Sequence, residues 1–180
     1  MRGYLKLFTL ISSVALTVTG LAIPNARADG GTAQAETTTG GIHAAFRSPW
    51  FGGTGGSVWG IACTKLRSIV GRSGTLVDQL GLVCEDGSAT PVGGGGGGPF
   101  QISCPSGFYA SGIYGSSGSL VDSLGLFCKD SSGRVRMTHT TGGTGGSYFE
   151  YECPDRMFLT GFNVRKGSYI DAIQALCLPF

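Results

Sequence analysis

Histidine is scarce in this chain, C-x-x-C pairs are absent, and charge is thin. Two His, 13 Lys+Arg and 11 Asp+Glu are spread over 180 residues. Without a C-x-x-C pair and with His43 and His139 alone, the ligand spacing of a zinc site is missing. The formal charge of +2 comes from the first 28 residues, which hold Arg2, Lys6 and Arg27 and no acid. Residues 29–180 sum to −1. A chain with that balance has no surface for tracking phosphates, so nucleic acid is not an expected partner. No segment after residue 30 repeats its apolar residues at helical spacing, which excludes an α-helical domain.

The apolar run Leu7–Ile23 follows a positively charged start and precedes Pro24 and the A-x-A triplet Ala26-Arg27-Ala28. These are the parts of a secretory signal, so residues 1–28 are expected to be removed and the mature chain to start at Asp29. At 17 residues, five of them Ser or Thr, the run is short for a membrane span. The mature chain is therefore expected to be secreted, extracellular or periplasmic, and not inserted in a membrane. Its 152 residues suit one domain. Residues 29–45, rich in Gly, Thr and Ala, read as a flexible leader, and 46–180 as the ordered domain.

What the chain has is a threefold repeat. GGTGGSVWGIAC…GTLVD…C spans Gly52–Cys84, GGGGGGPFQISC…GSLVD…C spans Gly93–Cys128, and GGTGGSYFEYEC…GSYID…C spans Gly142–Cys177. In each copy the first Cys stands 11 residues after the first Gly, and the second Cys 6 after the Asp. Fixed offsets in triplicate denote one structural unit used three times. The unit reads as β. Alternating triplets follow each Gly run: Trp59, Ile61, Cys63; Phe100, Ile102, Cys104; Phe149, Tyr151, Cys153. A second set follows each Asp: Leu80, Leu82, Cys84; Leu124, Leu126, Cys128; Ile173, Ala175, Cys177. Ile69, Ile113 and Phe162 mark a third strand between them. Period-two alternation against a mostly polar opposite face describes half-buried strands.

Six Cys in an exported chain imply disulfides. Fifteen pairings are possible. Symmetry leaves two, within each repeat or from each repeat to the next. The first, Cys63–Cys84, Cys104–Cys128 and Cys153–Cys177, keeps both partners on one inward face and is the one expected.

A run of glycines is entropically costly to order, and three runs in one register argue for a purpose. Without Cβ atoms, backbone N–H groups can approach a ligand closely. Asp78, Asp122 and Asp171 each stand at a strand boundary, where a carboxylate accepts hydroxyl hydrogen bonds while nearby N–H groups donate to the same ligand. Vicinal hydroxyls of a sugar offer that pattern. A turn-forming role for the three Asp is the alternative, and with it a disulfide-stapled structural protein without sugar sites. A hydrolase is disfavoured. The three Asp are symmetry-related rather than split into acid and base, and His139 has no counterpart in the other repeats.

The paired Gly run and G-x-x-x-D in triplicate resembles the jacalin-related lectins, particularly their griffithsin-like members, over residues 46–178. The cysteine pattern, with CPSGFYASG between the pair, is similar to that of the vitelline membrane outer layer protein. The resemblance implies an all-β jacalin-type β-prism, three four-stranded antiparallel sheets with pseudo-threefold symmetry. It also implies metal-independent binding of mannose-type or glucose-type sugars on glycans or glycoproteins, with no cofactor and no catalysis. It places sugar hydroxyls on the Asp loops: Leu76, Val77 and Asp78; Leu120, Val121 and Asp122; Tyr169, Ile170 and Asp171. Further N–H groups would come from Gly52–Gly53, Gly93–Gly94 and Gly142–Gly143. The pairing expected from a jacalin-type ring sets Asp78 with Gly93–Gly98, Asp122 with Gly142–Gly146, and Asp171 with Gly52–Gly56. Only the third Asp loop keeps a Tyr, Tyr169, which can pack on a sugar face.

Overall fold

The computed structural model describes residues 34–35, 45–87 and 90–179. The signal expected over 1–28 lies outside them, as does most of the expected leader. Within that leader Gln34–Ala35 forms a short strand against Phe46–Arg47.

In chain order the strands are β1 Gln34–Ala35, β2 Phe46–Arg47, β3 Phe51–Gly52, β4 Ser57–Ala62, β5 Leu66–Ser73, β6 Val77–Cys84, β7 Val92–Gly93 and β8 Gly98–Ser103. They continue with β9 Phe108–Ser117, β10 Val121–Asp130, β11 Val135–Met137, β12 Thr141–Gly142, β13 Ser147–Glu152, β14 Met157–Lys166 and β15 Ile170–Pro179. No helix occurs among the described residues. All described pairings are antiparallel, as hairpin-connected repeats require.

Three sheets form, and each contains the same four-strand motif: β7-β6-β5-β8, β12-β10-β9-β13 and β3-β15-β14-β4. The fold is the all-β prism. Two sheets exceed four strands. The β1-β2 pair extends the edge beside β15, and β11 adds to β10. Neither addition recurs in the other repeats, so the repeat pattern does not announce them.

The inner faces meet in one core. Ile69, Leu80, Ile102, Ile113, Leu124, Leu126, Phe162 and Ile173 are all fully buried. The alternating polar positions Gln101, Ser103, Glu150 and Glu152 face solvent. Trp59 departs from its expected inward place and stays 52% exposed. It sits near the open end of β4, with the Lys166 Nζ 4.7 Å from its ring centroid. Phe149, at the matching position, is buried under Phe51, with ring centroids 4.4 Å apart.

Disulfides join Cys63 to Cys84, Cys104 to Cys128 and Cys153 to Cys177. Each lies within one repeat and staples the strand after a Gly run to the strand after an Asp. All six sit at one end of the strands, and the Asp loops sit at the other.

Candidate functional site

The strand order dictates where the Gly runs go. β7 and β8 lie on opposite sides of the β5–β6 hairpin. The Gly run joining them must therefore arch over the hairpin tip, which carries Asp78. The same holds for the run from β12 to β13 over Asp122, and from β3 to β4 over Asp171. A chain crossing so near another backbone leaves no room for side chains at Gly93, Gly94, Gly96 and Gly97 and their counterparts, whereas the middle position, Gly95, is open and holds Thr54 and Thr144 in the other two arches.

Each Asp is the extra residue of a β-bulge. Val77 pairs with Ser73 and Gln79 with Arg72, leaving Asp78 without a cross-strand partner. Asp122 is skipped between Val121 and Ser123, and Asp171 between Ile170 and Ala172. A bulge re-aims a side chain that the pleat would otherwise direct. Here it turns three carboxylates toward three Gly arches. A Cβ built on Gly96 would stand 2.3 Å from the Asp78 Oδ1. The equivalent distances are 2.3 Å from Gly145 to the Asp122 Oδ1 and 2.5 Å from Gly55 to the Asp171 Oδ1.

The arch is tied to the bulge by the same bond each time. The N–H groups of Gly94, Gly143 and Gly53 donate to the backbone carbonyls of Asp78, Asp122 and Asp171, each at 2.8 Å. The hairpin tip closes on itself through Gly74, Gly118 and Gly167, whose N–H groups donate to Leu76, Leu120 and Tyr169 at 3.0, 2.9 and 2.9 Å. None of these three glycines has a positive φ. They do not supply a left-handed turn, as a glycine at that position could suggest.

Thus Asp78 meets Gly93–Gly98, Asp122 meets Gly142–Gly146, and Asp171 meets Gly52–Gly56, each carboxylate from one repeat and each arch from another. Val77, Val121 and Ile170 bury their side chains completely and anchor the loops in the core. Only their backbones remain for a ligand. Leu76 and Leu120 are half-buried, whereas Tyr169 is exposed. The Asp171 Oδ2 is buried and has no hydrogen-bond partner.

The three sites touch one another. The second glycine of each arch lies against the backbone of the next Asp loop. A Cβ on Gly53 would be 2.3 Å from the Ser119 carbonyl oxygen, one on Gly143 2.4 Å from that of Thr75, and one on Gly94 2.0 Å from that of Ser168. The chain of contacts closes into a ring, so all three sites open at the same end of the prism. A hydrogen bond between the hydroxyls of Ser73 and Thr141 further ties two of them. Thr75, Ser119 and Ser168 escape a reading of the sequence because their side chains vary. Their shared offset after the loop glycine is the signal that was available.

A cavity of about 880 Å³ lies at the opposite, disulfide end, lined by Phe108, Tyr109, Phe158 and Lys65 among others. It contains none of the Asp or Gly-run residues. Among the described residues no three His, Cys, Asp or Glu side chains group as a metal site requires.

No protein-family model and no curated protein matches the chain. Solved structures do. A mannose-binding jacalin-related lectin from Ananas comosus is 27% identical with a TM-score of 0.57, covering 76% of this chain and 99% of its own. Malaysian banana lectin is 25% identical with a TM-score of 0.61 and the same coverage. A mannose-specific jacalin-related lectin from Morus nigra, in complex with mannose, is 18% identical with a TM-score of 0.62, covering 79% of this chain and 99% of its own. The fold is that of the jacalin-related lectins. With that fold, the bulged Asp under a Gly arch occurs three times in one chain, at one end of the prism.

Proposed function

We propose that this protein is a secreted lectin that binds mannose-type or glucose-type sugars on glycans, without a metal ion, at up to three sites. The observation that carries the reading is the carboxylate set on a bulge beneath a Gly arch, three times over at one end of the prism. A carboxylate at that place accepts a hydrogen bond from a sugar hydroxyl. Backbone N–H groups of the hairpin tip and the arch complete a donor and acceptor pair suited to vicinal hydroxyls. The mannose-binding lectins of the same fold support the sugar class. The export signal and the three disulfides support an oxidising, extracellular or periplasmic destination.

The test is a glycan array of the mature protein, followed by titration with methyl α-mannoside in the presence and absence of EDTA. Binding unaffected by EDTA, and lost in the Asp78→Ala/Asp122→Ala/Asp171→Ala variant, is expected. A variant that binds like the wild type would reduce the three Asp to turn formers and move the sugar site elsewhere, and a wild type that binds no glycan would leave a structural protein.

A further inference from the structure

Among the described residues, two of the three arches are gripped by an arginine, and the third is not. The Arg72 Nε donates to the Gly96 carbonyl at 2.8 Å and its Nη2 to the Gly97 carbonyl at 2.6 Å. The Arg165 Nη1 donates to the Thr54 carbonyl at 3.3 Å, and its guanidinium lies 5.2 Å from the Trp50 ring centroid. Arg72 and Arg165 hold the same position in their strands. Each stands two residues before the hairpin-tip glycine, and they pair with Pro99 and Val58 at matching places on β8 and β4. The same position in the third sheet is Ser116, which pairs with Tyr148 on β13. Its hydroxyl bonds to that of Ser123 at 2.8 Å and cannot span to the arch of residues 142–146.

The chemistry of the grip follows from the peptide plane. A carbonyl and the N–H of the next residue belong to one planar trans unit and point in opposite directions. A guanidinium that draws the Gly96 and Gly97 carbonyls outward therefore turns the N–H groups of Gly97 and Gly98 away from itself. Arg165, through the Thr54 carbonyl, does so for the N–H of Gly55. A glycine run has more backbone freedom than any other sequence, so an unheld arch must be ordered by its ligand at a cost in affinity.

We propose that Arg72 and Arg165 are positioning residues that pre-organise the arches over Asp78 and Asp171, and that Ser116 leaves the arch over Asp122 the least ordered of the three. This rests on the sugar-binding reading for its effect on affinity, but not for its effect on the loop.

The experiment reads both. In an Asp122→Ala/Asp171→Ala background, which keeps the Asp78 site alone, Arg72→Ala should weaken methyl α-mannoside binding about tenfold. Arg72→Lys, with one donor group in place of a fork, should recover part of the loss. The melting temperature should not change. Amide hydrogen exchange at Gly96–Gly98 should accelerate in Arg72→Ala while that of Ile102 stays as it was. In an Asp78→Ala/Asp171→Ala background, Ser116→Arg should tighten binding at the Asp122 site and slow exchange at residues 144–146. Unchanged exchange and affinity in Arg72→Ala would overturn the proposal. So would a drop in melting temperature with affinity retained, which would make the arginine structural only. If the parent background binds no methyl α-mannoside, the sugar-binding reading falls, and the exchange of the arch amides still decides whether the arginine orders the loop.

Discussion

At the scale of single residues the carboxylate is the group on which the proposed chemistry depends. Removing a charge-assisted hydrogen bond costs about 1.5–3 kcal/mol, so Asp171→Ala should lower affinity at its own site at least about tenfold. Tyr169→Leu should cost less, because it removes a stacking surface and keeps the carboxylate and N–H groups. Titration of variants with one surviving site separates the two. The glycines give a second residue-scale expectation. Gly96→Ala puts a methyl 2.3 Å from the Asp78 Oδ1, a clash with the end of a side chain rather than with backbone. The carboxylate must leave its place, so sugar binding at that site should be lost, with a smaller fall in melting temperature than a backbone clash would cause. A Gly94→Ala change is of another kind. Its methyl would meet the Ser168 carbonyl oxygen at 2.0 Å, a backbone atom of the neighbouring site. Gly94→Ala should therefore lower the melting temperature and disturb the Asp171 site as well as its own.

At the scale of elements, the hairpin from β10 to β11 shows what lies outside the repeat. Asp130 accepts bonds from the Ser132 N–H at 2.9 Å, the Ser132 hydroxyl at 2.6 Å and the Arg134 N–H at 3.0 Å. The Arg134 guanidinium adds two more, at 3.0 and 2.8 Å. These bonds, the Ser132 hydroxyl foremost, hold the Asp130 carboxyl well below the usual carboxylate range against the opposing pull of desolvation. A folded-state pKa lowered in this way stabilises the hairpin above the unfolded value of about 4 and loses that contribution as pH falls below it. The protection of β11 amides against hydrogen exchange, taken relative to their intrinsic rates, should fall below about pH 4, and Asp130→Asn should reproduce the loss at neutral pH. An unchanged β11 in that variant would show that the turn does not hold the strand. The hairpin was not legible in the repeat, because β11 has no counterpart in the other copies and, although Asp86 holds the place of Asp130 after Cys84, no strand stands between it and β7 among the described residues. The strands of the motif were legible, since a period of two with Cys at its end fixes which face of β6, β10 and β15 is inward. The meeting of each Asp with another repeat's Gly run came from the family resemblance, whose ring sets the first Gly run beside the last Asp loop, with symmetry giving the other two. The bulge that turns each Asp was not, because it depends on a register that only the cross-strand pairing defines. Arg72 and Arg165 went unread for a simpler reason. The third copy has Ser116, and a feature present in two of three copies looks like ordinary surface variation.

At the scale of the whole molecule, the two ends of the prism have different work. The disulfide end closes chain segments separated by 21, 24 and 24 residues. Loops of that size stabilise a fold by about 3 kcal/mol each in the chain-entropy account. Reduction should therefore lower the melting temperature sharply in a thermal scan with and without reductant. The other end holds three sites linked by Gly53 on Ser119, Gly143 on Thr75 and Gly94 on Ser168. Because the arches bear on one another's hairpins, the sites have a fixed mutual geometry and face one way. On the proposed function, a single molecule would engage several sugars of one dense surface with little further loss of freedom. Linked engagement of this kind raises avidity by about 10²–10⁴ over a single site. Binding to a mannan-coated surface should accordingly exceed the affinity for methyl α-mannoside by at least about a hundredfold. Each Asp→Ala substitution should remove part of that gain, Asp122→Ala the least. Surface-binding kinetics at low protein concentration measure this directly, with the gain expected in a slower dissociation rate. If variants with one surviving site leave the mannan surface as slowly as the wild type, the three sites do not act together, and their clustering serves the packing of the loops alone.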